Sequence, residues 1–430
     1  MQTIAAIATA SGTCGVAIIR LSGDNCLEIA EKIFTPTKNF KPNYMYAGNI
    51  SGDGFTDFGF LVYFKAPKSF TGEDVVELHC HGGVQIARGI LKKCVMSGAR
   101  LAERGEFTKR AFLNGKLTLA SAEGMVDMIN AESLALLRAG SMLYGEKLSD
   151  EVKTLQNALK DILAEVAVEI DYPEEDESGL DLKKITQKLS ALKTEIDGLV
   201  KSYKSGKKIK EGVTVALCGK PNTGKSSLLN ALLGYEKAIV SAEEGTTRDA
   251  VEGTLELDGV TYNLIDTAGI RERAGNVESI GIDRARKIIE TADVILSVSE
   301  GEEVALPSNT GGKIIKVFNK SDIKTPVRDC DIAVSAKTGA GVEELKKLIS
   351  EKGMGDTSLD KAYIVEERHF AALKKGAEAL ETALENIGVM TLDVISVDLK
   401  EAWDALGEIT GETANEEIIS TVFSKFCVGK

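Results

Sequence analysis

The stretch that most constrains this chain is Gly219-Lys220-Pro221-Asn222-Thr223-Gly224-Lys225-Ser226. It follows the apolar run Val213-Thr214-Val215-Ala216-Leu217 and precedes Ser227-Leu228-Leu229-Asn230. A buried strand, a glycine-rich loop and a helix, in that order, make a phosphate-cradling loop, and such a loop belongs in a doubly wound α/β sheet. Gly219 and Gly224 let the backbone turn tightly, so that N–H groups from Asn222, Thr223, Gly224, Lys225, Ser226 and Ser227 can face a phosphate. The positive end of the helix adds field. Lys225 offers a point charge to the β- and γ-phosphates, and the Ser226 hydroxyl can reach Mg2+.

Three more motifs follow in the order such a site demands. The strand-like Asn263-Leu264-Ile265 runs into Asp266-Thr267-Ala268-Gly269, where a strand-end carboxylate can hold Mg2+ through water and a glycine N–H can meet a γ-phosphate. Lys316-Val317-Phe318 ends in Asn319-Lys320-Ser321-Asp322. The Asp322 carboxylate can accept both N–H groups of a guanine edge and would repel the acceptors of adenine. Ala333-Val334 then leads to Ser335-Ala336-Lys337, which can close over the base. Together these motifs predict a GTP site.

The length of 430 residues predicts two or three domains. A formal charge of −13 excludes a globally basic surface, so any RNA contact must be local. Seven cysteines without a C-x-x-C pair predict reduced thiols and a cytoplasmic setting. The first 19 residues are apolar, but no lysine or arginine precedes Arg20, so the expectation is strand–turn–strand rather than a signal peptide. No long uncharged apolar run predicts a membrane span.

The patterning predicts a multidomain α/β protein with four segments. Residues 1–116 alternate short β-like runs (Val16 to Ile19, Phe60 to Phe64, Val75 to Leu78) with turn residues and one helix over 83–97, an α+β domain. Residues 117–211 carry helical periodicity through Leu134, Leu148, Val152, Leu155, Leu159 and Ile162, broken at Pro173 and resumed from Leu182 to Tyr203. Lys201, Lys204, Lys207, Lys208 and Lys210 come next, as either a contact for RNA phosphate or a solvated helix end. Residues 212–354 form the nucleotide domain, and helical patterns return over 360–386 and 391–425, within 355–430. A helix pair alone lacks a core, so the two helical segments are expected to form one discontinuous domain through which the nucleotide domain is inserted.

Gly72-Glu73-Asp74-Val75-Val76-Glu77-Leu78-His79-Cys80-His81-Gly82-Gly83, the run from Gly105 to Lys116, Gly245-Thr246-Thr247-Arg248-Asp249 and Phe426-Cys427-Val428-Gly429-Lys430 resemble the MnmE (TrmE) family across the whole chain and in the same order. These are bacterial and organellar tRNA-modification GTPases. The resemblance implies a tetrahydrofolate-binding and dimerising amino-terminal domain, a discontinuous helical domain and an inserted P-loop GTPase domain. It further implies a cytoplasmic homodimer that assembles with the flavoprotein MnmG (GidA) into a heterotetramer. With that partner it would add an aminomethyl or carboxymethylaminomethyl group to C5 of the wobble uridine (U34) of certain tRNAs. The carbon would come from a tetrahydrofolate derivative, 5-formyl- or 5,10-methylene-tetrahydrofolate.

The same resemblance implies roles for individual residues. Ser241, Ala242, Glu243, Glu244, Gly245, Thr246 and Thr247 form the first switch, with Thr247 closing on Mg2+. The glutamine of Ras-like enzymes is absent, because Ile270 and Arg271 follow Gly269. Instead, K+ held by Asn222, Ser241, Glu243 and Thr246 offsets the charge developing on the γ-phosphate, and Glu278 orients the attacking water. Arg248 and Arg271 are weaker candidates for an arginine finger. Arg20, Glu77, Lys116 and Lys430 match the folate contacts, a donor and acceptor set that suits a glutamate tail and a pterin. Cys427 is either a packed small hydrophobe or a residue near the modification site, as nucleophile or in placing the folate; Val428-Gly429-Lys430 does not fit a prenylation box. His79, Cys80 and His81 are read as structural. Two rivals remain: a regulatory ribosome- or RNA-assembly GTPase that modifies nothing, and a stand-alone folate aminomethyltransferase with an appended GTP switch.

Overall fold

The computed structural model describes residues 2–10, 12–36, 39–172, 181–234, 253–267, 278–302, 310, 312–326, 329–355 and 363–430. The chain divides into two compact units, one of Met1–Val126, Met142–Leu189 and Glu378–Lys430, the other of Asp127–Ser141 and Ser190–Ala377.

The first unit is built on a seven-stranded sheet. Its strands are β1 (Ile4–Ile7), β2 (Val16–Ser22), β3 (Phe34–Thr35), β4 (Met45–Ser51), β5 (Thr56–Phe64), β6 (Val75–His81) and β7 (Arg100–Leu101), in the order β3-β4-β5-β6-β2-β1-β7. The expected strand–turn–strand at the start is β1 antiparallel to β2, with Ile7 opposite Ile19. The helix Val84–Met96 lies on one face and buries Ala87, Ile90 and Cys94 in the core that holds Ile19, Leu21 and Leu78. Those residues recur at helical spacing, which is why this stretch packs as a helix between two glycines.

Helices from both sides of the nucleotide segment meet in this unit. Lys147–Asp171 packs along Leu392–Thr410, and Gln156 Nε2 donates to the Trp403 carbonyl at 3.3 Å. Gly407 allows the close approach, since a Cβ there would press on Gln156 and Thr413. The helical pattern over 391–425 proves to be two helices, Leu392–Thr410 and Glu416–Ser424. Gly411 ends the first in the left-handed region (φ 94°), where a side chain would also strike Phe112. Asn415 starts the second by accepting the Ile418 N–H at 2.9 Å.

The second unit holds a six-stranded sheet of β8 (Val213–Cys218), β9 (Gly253–Leu257), β10 (Val260–Asp266), β11 (Val294–Ser299), β12 (Lys313–Phe318) and β13 (Ile332–Ala333), in the order β13-β12-β11-β8-β10-β9. β8 and β10 to β13 are parallel, and β9 is an antiparallel edge strand. The helices Lys225–Leu233 and Val342–Met354 bury Leu228, Leu232, Leu345 and Ile349 against Val215, Leu217, Leu264 and Leu296. β8, β10, β12 and β13 carry the nucleotide motifs, whereas β9 and β11 carry none. β11 is central and buried along nearly its whole length, but it carries no phosphate-binding signature.

The helix Leu182–Glu211 runs on through the lysine stretch to the threshold of β8. Lys208 Nζ donates to the Gly353 carbonyl at 2.7 Å and lies 3.1 Å from Asp293. Lys210 bridges Asp127, at 2.9 Å, and Glu366. These two lysines are fastened within their own unit, whereas Lys201 and Lys204 face solvent. Among the described residues no helix is long and apolar enough to cross a membrane.

Candidate nucleotide site and the amino-terminal polar cluster

The carboxyl ends of β8, β10, β12 and β13 bring the nucleotide motifs to one edge of the parallel sheet. β8 feeds the loop, and the helix Lys225–Leu233 leaves it from Gly224, which sits at φ 83°. A Cβ on Gly224 would fall 2.5 Å from the Asn319 amide, and one on Gly219 would fall 2.2 Å from the Val298 carbonyl oxygen. Gly219 is therefore demanded by the close approach of the Val298 backbone, and Gly224 by its positive φ and the Asn319 side chain packed against it. Asn222 also adopts a positive φ of 62°, which its short polar side chain tolerates.

The loop holds its own lysine. Lys225 is buried, and its ammonium donates to the carbonyls of Gly219 at 3.1 Å and Lys220 at 2.9 Å. Thr223 Oγ1 closes on the same Lys220 carbonyl at 2.9 Å. Ser226 Oγ donates to Asp266 Oδ2 at 3.0 Å, which places the expected Mg2+ hydroxyl beside the strand-end carboxylate. Ser227 is exposed one position further on. Thr267 is buried, and its hydroxyl donates to the Leu217 carbonyl at 2.9 Å, tying the end of β10 to β8.

The base-recognition residues knit to the phosphate loop. Asn319 is buried; its Nδ2 donates to the Thr223 carbonyl at 2.9 Å and its Oδ1 accepts the Ala336 N–H at 3.2 Å. Lys320 Nζ donates to the Asn222 carbonyl at 2.9 Å. Asp322 is exposed and accepts from the buried Ser335 hydroxyl at 2.8 Å. Lys337 is exposed beside them in sequence. Ser241, Ala242, Glu243, Glu244, Gly245, Thr246, Thr247, Arg248, Ala268, Gly269 and Arg271 lie outside the described residues, as does the side chain of Glu278, the first residue of the helix Glu278–Thr291.

One residue escaped the sequence reading. Glu300, directly after β11, accepts from both Lys320 and Lys324. Hydrogen bonds from Lys320 and then Lys324 hold its carboxyl below the usual range. The available signal was a carboxylate one position past an apolar run that neighbours the base motif.

In the first unit, Arg20 on β2 and Glu77 on β6 are register partners, and Arg20 Nε donates to Glu77 Oε1 at 2.8 Å. The guanidinium carbon sits 5.8 Å from the ring centroids of both Phe70 and Phe107. Glu77 also meets His79 Nε2 at 3.3 Å. Burial pushes the Glu77 carboxyl up, but His79 and Arg20 together outweigh it and leave it below its ordinary value. His81 pairs instead with Asp57 at 2.7 Å, so the two histidines serve different carboxylates. Lys116 is exposed and donates to the Pro67 carbonyl at 3.1 Å.

The last residues of the sequence dock on the same unit. Val428 bridges Arg104, and a Cβ on Gly429 would lie 2.2 Å from the Ile7 carbonyl oxygen. β1 carries Ile7 and pairs with the strand bearing Arg20, through Ala6 opposite Arg20. Phe426 is buried with Phe423 and Leu119, Cys427 is an exposed free thiol, and Lys430 is half-buried.

A family model described as the MnmE helical domain matches residues 119–427, and one described as the GTP-binding protein TrmE N-terminus matches residues 3–116. The chain is 39% identical over 456 positions to the tRNA modification GTPase MnmE of Acetivibrio thermocellus, covering 100% of this chain and 99% of that one. It is 40% identical over 447 positions to the tRNA modification GTPase MnmE of Aquifex aeolicus, with 100% of each covered. Among solved structures it is similar to the G domain of the T. maritima FeoB iron transporter, at 29% identity over 33% of this chain and 98% of that one, with a TM-score of 0.26. The chain belongs to the MnmE family of tRNA modification GTPases.

Proposed function

We propose that this GTPase uses a K+-assisted cycle of GTP binding and hydrolysis to gate a folate-dependent modification at C5 of the tRNA wobble uridine, acting as a homodimer with the flavoprotein MnmG. The observation that carries the GTPase half is the convergence of Lys225, Ser226, Asp266, Asn319, Asp322 and Ser335 at one sheet edge, joined by the hydrogen bonds described above. Within this reading the domain boundaries are 1–116, 117–211, 212–354 and 355–430.

The residues fit the groups the reading requires. Ser226 Oγ, paired with the buried Asp266, would hold Mg2+, with Thr247 as a second hydroxyl. Bound there, the ion would neutralise charge on the β- and γ-phosphates. Asn222 would share K+ with Ser241, Glu243 and Thr246, and Glu278 would orient the hydrolytic water. Lys225, held on the carbonyls of its own loop, brings its charge to the phosphates without having to search for a position. In the first unit, Arg20, Glu77, Lys116 and Lys430 would hold the tetrahydrofolate derivative. The supporting observation is the Arg20–Glu77 pair, whose guanidinium lies 5.8 Å from the Phe70 and Phe107 ring centroids and whose carboxylate suits a heterocycle with adjacent donors. Cys427, an exposed free thiol, would act beside that ligand.

The test is mass spectrometry of tRNA nucleosides from cells lacking the protein, complemented with wild type or with Lys225→Ala. The expected result is loss of a modified wobble uridine in the deletion and its return with wild type alone. An unchanged nucleoside profile would bring the assembly-factor reading forward.

A further inference from the structure

We infer that Glu300 is a positioning residue for guanine-nucleotide binding, acting through Lys320. The inference rests on the GTPase reading of this site and adds to it a residue from a strand that carries no nucleotide motif.

The argument begins with strand register. β11 and β12 are parallel, and Ser299 lies level with Phe318 at their carboxyl ends. Glu300 and Asn319-Lys320 therefore leave the sheet side by side, and the Asn319 N–H bonds the Ser299 carbonyl at 2.8 Å. On its other flank β11 neighbours β8, and the Val298 carbonyl is the group that crowds Gly219 of the phosphate loop. The end of β11 thus touches both halves of the nucleotide site.

Lys320 makes two contacts through its ammonium, one to the Asn222 carbonyl and one to the Glu300 carboxylate. A lysine side chain has four rotatable bonds and loses considerable entropy when fixed. The carboxylate on one side and the loop carbonyl on the other leave it few positions. Lys324, one turn along, shares the same carboxylate and holds it in place. Lys320 in turn ties the base-side segment to Asn222 of the phosphate-side loop. Without Glu300 the ammonium has a single anchor, and the link between base and phosphate recognition loosens. Such a loss acts on residence of the nucleotide, because every contact remains available but the loop holding them is less organised.

The test is stopped-flow release of a fluorescent N-methylanthraniloyl-GDP from full-length protein. Glu300→Gln is expected to release it about ten times faster than wild type and to raise KM for GTP, with the larger effect on KM than on kcat. Glu300→Asp should recover part of the loss. Glu300→Gln combined with Lys320→Met should release no faster than Lys320→Met alone, because the carboxylate acts through that lysine. Circular dichroism melting of the nucleotide-free variants identifies any that fail to fold, and Glu300→Asp then carries the comparison. Wild-type release rates in Glu300→Gln, or additive effects in the double variant, would overturn the inference. A wild-type protein that retains no guanine nucleotide would overturn the GTPase reading beneath it.

Discussion

At the residue scale, the candidate nucleotide site shows how much local geometry can be read from residue type. Gly224, Lys225, Asp266, Asn319 and Asp322 could be named from sequence because each is the residue type its contact requires at a strand end. Glu300 could not, since a carboxylate after a strand reads as any solvated charge until register sets it beside Lys320. Asp322 supports a sharp prediction. Its carboxylate accepts from Ser335, which fixes the group that would take two N–H donors from guanine. Asp322→Asn replaces one acceptor by a donor, leaving one guanine donor unmatched and opposed. Each charged hydrogen bond is worth about 1.5–3 kcal/mol, so GTP affinity should fall by at least about tenfold. Xanthine presents an acceptor where guanine presents its amino group, so XTP should bind the variant better than GTP does. Competition titrations with the two nucleotides check both outcomes. A second prediction concerns the ion proposed at Asn222. Hydrolysis should run much faster in K+ than in Na+ at equal ionic strength, and equal phosphate-release rates would remove that role from Asn222.

At the element scale, the helices were legible where periodicity was long and opaque where the break was small. The break at Gly411 was missed because one glycine inside a periodic run is tolerated until packing against Phe112 excludes a side chain. The lysines ending the helix Leu182–Glu211 posed a different difficulty, because no local pattern separates a fastened lysine from a solvated one. Their partners, Asp293, Asp127 and Glu366, lie far along the chain. The Lys210 cluster has a pH signature. Asp127 is buried; burial first, and the neighbouring Glu366 second, push its carboxyl up to about 7 against the pull of Lys210. A carboxyl raised in the folded state contributes stability that is present below its unfolded value of 3.8 and is lost as pH rises through about 7. Melting of the wild type should therefore shift to lower temperature as pH rises from about 4 to about 7 and level off above that, and Asp127→Asn should flatten that slope. Lys210→Met, which removes the ammonium that Asp127 and Glu366 share, should lower stability near neutral pH and recover part of the loss in acid. Chemical denaturation at pH 5.5 and 8 measures both.

At the scale of the whole molecule, the nucleotide motifs and the residues proposed for folate fall in two different compact units. The phosphate loop and base motif belong to one, while Arg20, Glu77, Lys116 and the docked residues 426–430 belong to the other. Composition already excluded a globally basic chain, because net charge is a property of the linear sequence. The docking of the last residues onto β1 and Arg104 was not legible from their own sequence. It depends on Gly429 approaching the Ile7 carbonyl more closely than any residue with a side chain could. That contact makes the tail a structural neighbour of the Arg20 strand, and it predicts that the proposed folate binding can be separated from GTP hydrolysis. Deletion of residues 427–430 removes the Val428–Arg104 bridge, Gly429 and Lys430, while Phe426 and Phe423 still fill the core beneath. Binding of 5-formyltetrahydrofolate, measured by calorimetry, should fall at least tenfold, as expected when one charge-assisted contact worth about 1.5–3 kcal/mol is lost. Potassium-stimulated phosphate release from GTP should persist, because every residue assigned to it lies in the other unit. Loss of both activities together, with an unchanged melting temperature, would show that the tail takes part in the nucleotide cycle as well. Retention of full folate affinity would remove Lys430 from the ligand set and leave Arg20, Glu77 and Lys116 to account for it.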